Sequence, residues 1–155
     1  MSSPILPPPT VNLAKAMPGV YWLQSRQDWT KDGQQRIDPI LGANPIAILT
    51  YTPTHFAAQF MNRNRTEDTA KQTSHSSKNN TGGIGGYDAY FGTYQVNEQT
   101  GEVAHTLIGS LTLSNIGKTF MRSIRISGDE LTLQLETATT EDEPITRTLV
   151  WKRMS

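Results

Sequence analysis

The sequence predicts an all-β fold, an eight-stranded antiparallel up-and-down β-barrel, and three observations carry that expectation. After Gly19 the apolar residues recur with period two in short segments, the mark of strands with one buried and one solvated face. Turn residues punctuate those segments, most clearly at Lys31-Asp-Gly, Asn97-Glu-Gln-Thr-Gly and Ser127-Gly-Asp. No stretch keeps a helical period, and an open sheet of that size would leave two edges free to aggregate, so closure is the economical arrangement.

The strands expected are Val20 to Gln27, Ile46 to Thr52, His55 to Met61, Gly92 to Asn97, Val103 to Ser110, Thr119 to Ile126, Leu131 to Glu136 and Ile145 to Arg153. Before them, residues 1 to 16 read as an arm, with Pro7-Pro8-Pro9 favouring polyproline II. Residues 17 to 155 read as the barrel domain. Between the third and fourth strands, residues 64 to 86 form a long polar loop, rich in Ser, Thr and Asn and ending in four glycines around Ile84. Loops of that length act as lids or binding loops, or are simply mobile, and the sequence leaves those readings open.

Composition removes several function classes. The 155 residues contain no cysteine, which excludes disulfides, thiolate catalysis and Cys-ligated metal. Fourteen basic residues balance fourteen acidic ones, so no positive field steers the chain to nucleic acid or to an anionic membrane. The longest apolar run, around Ile46 to Leu49, is too short to span a bilayer. Met1-Ser-Ser-Pro lacks the basic region of a secretory signal, so a cytoplasmic protein is expected, with the sequons at Asn64 and Asn79 unmodified. Histidines at 55, 75 and 105 have no zinc spacing, and neither a metal nor a cofactor is expected. Gly82-Gly-Ile-Gly-Gly lacks the strand and acidic follower of a nicotinamide site, and Ser110 has no triad around it.

Period-two alternation assigns the inward faces. Val20, Trp22 and Gln24 share one face of the first strand, and Ile145, Arg147, Leu149, Trp151 and Arg153 share one of the last. In the middle strands Tyr90, Tyr94 and Val96 fall together, as do Val103, His105 and Leu107, and Phe120, Arg122, Ile124 and Ile126. If the apolar members define the inside, His105, Arg122 and two tyrosines point in with them. A buried guanidinium needs a carboxylate, carbonyls, water or a ligand, and no inward acid stands out for Arg122. It could instead reach the rim or stack on Tyr94. His105 is either a core histidine bonded to a tyrosine hydroxyl or a general acid or base.

Gly19-Val-Tyr-Trp-Leu, Tyr51-Thr-Pro-Thr-His-Phe, Gly86-Tyr-Asp-Ala-Tyr-Phe-Gly-Thr-Tyr, His105-Thr-Leu-Ile-Gly-Ser, Gly128-Asp-Glu-Leu-Thr-Leu and Leu149-Val-Trp-Lys-Arg stand in the order seen in the lipocalin-like domain family. In these motifs, which run from residue 17 to residue 153, the chain resembles those small intracellular barrels. The resemblance implies a ligand-holding interior and a closing contact of Trp22 with Arg153, cation on indole. Some barrels of this type resemble cyclases or isomerases acting on polyketide or terpenoid intermediates. The chain departs from the family pattern before Gly86 and at Leu111-Thr-Leu-Ser-Asn-Ile-Gly, both near a cavity mouth, so ligand identity is not carried over.

The function expected is therefore a cofactor-free cyclase or isomerase acting on a small hydrophobic organic ligand. The alternative is a non-catalytic binder or carrier. Arg122 would polarise a carbonyl or enolate oxygen, His105 would move a proton, and Tyr90 would donate a hydrogen bond, with Tyr94, Phe120, Leu107, Ile124 and Tyr51 touching the substrate. Outward Phe91 or Met121 leave a homodimer open.

Overall fold

In this computed structural model, which describes residues 6–72 and 78–155, the alternating segments close on themselves. The strands are β1 (Gly19–Thr30), β2 (Gln35–Arg36), β3 (Ile46–Tyr51), β4 (His55–Met61), β5 (Tyr87–Val96), β6 (Glu102–Ser110), β7 (Thr119–Ser127), β8 (Glu130–Ala138) and β9 (Pro144–Arg153). Apart from β2, each pairs antiparallel with the next, and β1 pairs with β9, so the barrel has eight staves in up-and-down order. β2 is a two-residue flap on the far end of β1, pairing Asp28 with Arg36 and Trp29 with Gln35. The expected strands are all present, and the Ser127-Gly-Asp turn becomes a tight hairpin in which Ser127 faces Glu130 and Gly128 takes a φ of 59°.

Two irregularities decide what faces inward. Between Leu23 and Ser25 the β1 register slips against β9, so the buried parity changes from Tyr21 and Leu23 to Arg26, Asp28 and Thr30. The face holding Val20, Trp22 and Gln24 is therefore the outer one, and Trp22 is 43% exposed. The expected Trp22–Arg153 contact is not made; the Arg153 guanidinium lies 4.8 Å over the ring of Tyr21 instead.

The second irregularity is in β5, which begins at Tyr87 rather than Gly92 because Tyr87 to Phe91 pair with Met61 to Ala57 of β4. A bulge at Phe91 and Gly92 then adjusts the register to β6. At Gly92 the backbones approach so closely that a Cβ would sit 1.9 Å from the carbonyl oxygen of Thr106. Gly92→Ala is expected to cost about 2 kcal/mol or more in a urea melt, since main chain rather than a flexible side chain must yield.

The core runs the length of the barrel, and each end has its own cover. At one end a single helical turn, α1 (Leu13–Ala16), buries Leu13 and Met17 completely. One turn has no stability of its own. It is held by Glu98, whose carboxylate accepts from the amides of Leu13 at 2.8 Å and Ala14 at 3.0 Å. Tyr21 donates its hydroxyl to the Met17 carbonyl at 2.7 Å, and Arg153 donates to the carbonyls of Ala16 and Pro18. The other end is covered by residues 38–42 and 78–84, where Leu41 and Asn80 are buried. The polar loop also contains one turn of helix, α2 (Glu67–Ala70), capped by Thr66. Phe91 and Met121 lie on the outer wall, 52% and 45% exposed.

Candidate binding site in the barrel interior

Seven polar side chains enter the interior from the staves: Arg26 and Asp28 from β1, Asp88 and Tyr90 from β5, His105 from β6, Arg122 from β7 and Arg147 from β9. Burial on this scale needs partners, and the partners differ. Arg147 makes a two-pronged bond to Asp28, Nε to Oδ1 at 2.8 Å and Nη2 to Oδ2 at 2.9 Å, with both side chains under a tenth exposed. Arg26 donates to Asp38 at 3.0 Å and so ties down the 38–42 cover from inside. Arg122, 3% exposed, has no ion pair among the described residues. Its guanidinium donates to Oδ1 of Asn79 at 3.0 Å, to the Asn79 carbonyl at 2.7 Å and to the Met121 carbonyl at 3.0 Å. Arg26 and Arg122 thus each hold one of the two segments that cover this end.

The remaining groups set the chemistry. Asp88 is 4% exposed and in no ion pair among the described residues; burial pushes its carboxyl up to about 7. His105 lies flat on Phe56, centroids 4.0 Å apart, and shares a 2.7 Å hydrogen bond between Nε2 and the Tyr51 hydroxyl. Burial, helped by the Arg122 charge, holds its imidazole well below the usual histidine range, while burial raises the Tyr51 phenol well above its own. A protonated Tyr51 donating to Nε2 places the imidazole hydrogen on Nδ1, which has no partner. Tyr90 is also raised by burial and keeps its proton.

These groups surround one small cavity of about 30 Å³, walled on its apolar side by Leu41, Leu49, Ala58, Phe60, Leu133, Leu135 and Leu149. That is room for about one water. Three buried side-chain nitrogens among the described residues lack a hydrogen-bond partner: Nδ2 of Asn80, Nδ1 of His105 and Nε1 of Trp151. All three residues line this cavity. Thr81 and Arg147 also line a larger recess of about 270 Å³, which opens at the rim beside Ile37, Glu141 and Glu143. Thr81 and Arg147 thus stand between the two spaces.

Of the residues expected from the alternation, Arg122, His105 and Tyr90 line the cavity. Tyr51, Leu107 and Ile124 are buried in the core around it, and Phe120 packs against that core without reaching the cavity. Tyr94 stands at the rim, its hydroxyl bonded to the Thr52 carbonyl at 2.6 Å, so it does not meet Arg122. His55 is exposed against Thr54, and His75 lies outside the described residues. Sequence reasoning missed Asp88, Asn79, Asn80, Arg26 and Asp28 as parts of the interior. Asp88 shares the parity of Tyr90 and was legible had the strand been extended back to Tyr87. Arg26 and Asp28 continue the period of Val20, Trp22 and Gln24 and lie past the residues grouped on that face. No group of three metal-ligating side chains gathers among the described residues, and no described helix is long and apolar enough to cross a membrane.

A family model described as a lipocalin-like domain matches residues 18–154, the whole barrel. Comparison with curated proteins gave no match.

Proposed function

Since the chain belongs to the lipocalin-like domain family, whose barrels suit small-molecule binding, we propose that its interior binds one small, mainly apolar organic molecule and moves a proton on it without a cofactor. One observation supports this above the others: the three residues with unpartnered buried donors all line a single cavity that Asp88 and Arg122 also line. Each orphaned donor costs about 1–3 kcal/mol, a cost that an acceptor oxygen brought by a ligand removes.

In this reading the residues that line the cavity divide the labour. Arg122 and the Tyr90 phenol stabilise charge on a carbonyl oxygen as it becomes an enolate. Asp88, half ionised near neutrality, takes the proton from the adjacent carbon while the C–H electron pair moves toward that oxygen. Returning the proton to another carbon of the same molecule completes an isomerisation with no net change in composition. His105 stays neutral and serves as a fixed hydrogen-bond donor through Nδ1, so the proton-moving role expected for it passes to Asp88.

The test uses 2-tetralone, an apolar bicyclic ketone with exchangeable hydrogens beside its carbonyl. Quenching of Trp151 fluorescence reports binding, and proton NMR in D2O reports exchange. The protein is expected to accelerate exchange, and Asp88→Asn to lower that acceleration by about 10²-fold or more while quenching persists. A carrier is the second reading, favoured by the fact that Arg122 is already satisfied by Asn79. Binding without exchange would establish the carrier, and no quenching at all would reject both.

A further inference from the structure

The acceptors that Arg122 holds say more about the ligand than the cavity does. Nη1 takes Oδ1 of Asn79 and Nη2 takes the carbonyl oxygen of the same residue, at 3.0 and 2.7 Å. One residue thus offers two oxygens to the two prongs of a guanidinium, the way a carboxylate does. The other interior arginines have real carboxylates, Asp38 for Arg26 and Asp28 for Arg147. Among the described residues Arg122 has no carboxylate, only this neutral oxygen pair and the Met121 carbonyl.

The substitute is held at some cost. Asn79 and Asn80 sit consecutively in the left-handed region, at φ of 54° and 55°. Asparagine tolerates that region better than other non-glycine residues, yet two in succession remain uncommon. Asn80 is then driven into the cavity, 4% exposed, with its Nδ2 unpartnered although Oδ1 accepts from Asn115 at 2.8 Å. The Asn79 oxygens also carry no formal charge, so they leave the guanidinium's own charge without a counter-ion.

We propose that the paired oxygens of Asn79 stand where a ligand's own oxygen pair belongs. The barrel then selects a small apolar molecule that ends in an anion delocalised over two oxygens, a carboxylate or the enolate of a 1,3-dicarbonyl, and the arrival of that anion frees residues 78–84. This rests on the reading that the interior takes a ligand. Charge and space agree with it. Arg26 and Arg147 are neutralised in pairs, which leaves the Arg122 charge for one anion. Withdrawal of Asn79 to Thr81 joins the inner cavity to the recess of about 270 Å³ that Thr81 separates from it, enough for a bicyclic body.

Calorimetric titration with three probes of similar size tests the proposal: 2-naphthoate, 2-acetyl-1-tetralone and 1-tetralone, the last with a single oxygen. The two-oxygen probes are expected to bind the wild type about tenfold or more tighter than 1-tetralone, and Arg122→Met to erase that preference. Asn79→Gly, at a φ that glycine adopts freely, should tighten the two-oxygen probes about tenfold by removing the internal competitor. Either probe should also speed tryptic cleavage after Lys78, which is held to Asp142 in the closed form. Preference for one two-oxygen probe over the other identifies which anion the site takes, and supports the proposal either way. Equal affinity for all three probes, a preference that survives Arg122→Met, or weaker binding to Asn79→Gly overturns it and leaves the interior as a binding site. If no probe binds at all, the reading of the interior as a ligand site falls with it.

Discussion

Replacing Asp88 by asparagine should stabilise the protein above pH 7 and leave it unchanged near pH 4. Burial lifts the carboxyl to about 7 in the folded barrel, whereas in the unfolded chain it titrates near the ordinary value of about 3.9. Between those two values the native state binds a proton that the unfolded state does not. Stability from this group is therefore greatest at acid pH, falls as pH rises from about 4 to 7, and is constant beyond. The full difference is of order 4 kcal/mol, and asparagine, which carries no charge to bury, recovers a large part of it.

The difference between variant and wild type isolates this effect. His105 contributes the opposite slope: its imidazole is held well below the usual range, so the unfolded chain binds the extra proton and stability falls as pH drops below about 6.5. The wild-type curve alone would blur the two. Urea melts of both proteins from pH 4 to 9 should give a stability difference that grows with pH and levels off above 7. A difference that does not vary with pH would mean that Asp88 is not a buried carboxyl of raised affinity for protons. On the proposed function the same variant should also lose proton exchange on 2-tetralone.

How much of this could be read from the sequence depends on whether the alternation ran unbroken. In β6, β7 and β9 it did, and Val103, His105, Leu107, Arg122, Ile124, Arg147 and Trp151 all point inward as the period demands. In β1 the register slip reverses the parity at Ser25, so the face of Val20, Trp22 and Gln24 is outer before it and turns inward at Arg26 and Asp28, past the residues that the alternation grouped together. A bulge has no fixed signature in a single sequence, because it is set by the neighbouring strand as much as by its own residues. Likewise the shortage of an acid for Arg122 was legible, yet its partner was not. Asn79 lies 43 residues away in a segment with no periodicity, and only the folded chain brings its two oxygens to the guanidinium. The polar loop could be recognised as a cover or a mobile loop; that part of it plugs the barrel follows from long-range packing alone.

The pair that should tolerate least is Asp28 and Arg147. Their side chains are 5% and 7% exposed and bound through two parallel hydrogen bonds, so neither charge has water to fall back on. Arg147→Met leaves the Asp28 carboxylate buried beside Asp38, which has only Arg26 to neutralise it. Asp28→Leu leaves two guanidiniums to one carboxylate. Either substitution is expected to cost about 3–5 kcal/mol, because removing one partner strands the other. The double variant Asp28→Leu, Arg147→Met removes both desolvation costs, and should return most of that loss, giving a coupling energy of several kcal/mol in the cycle. Chemical denaturation at pH 7 measures all four proteins. Additive losses would show that the two charges do not depend on each other, against the geometry. Binding separates this pair from Arg122: since each member is satisfied by the other, the double variant should still bind 2-naphthoate if it folds. Arg122→Met, whose guanidinium is held by carbonyl oxygens rather than by a carboxylate, should lose that binding while keeping its fold.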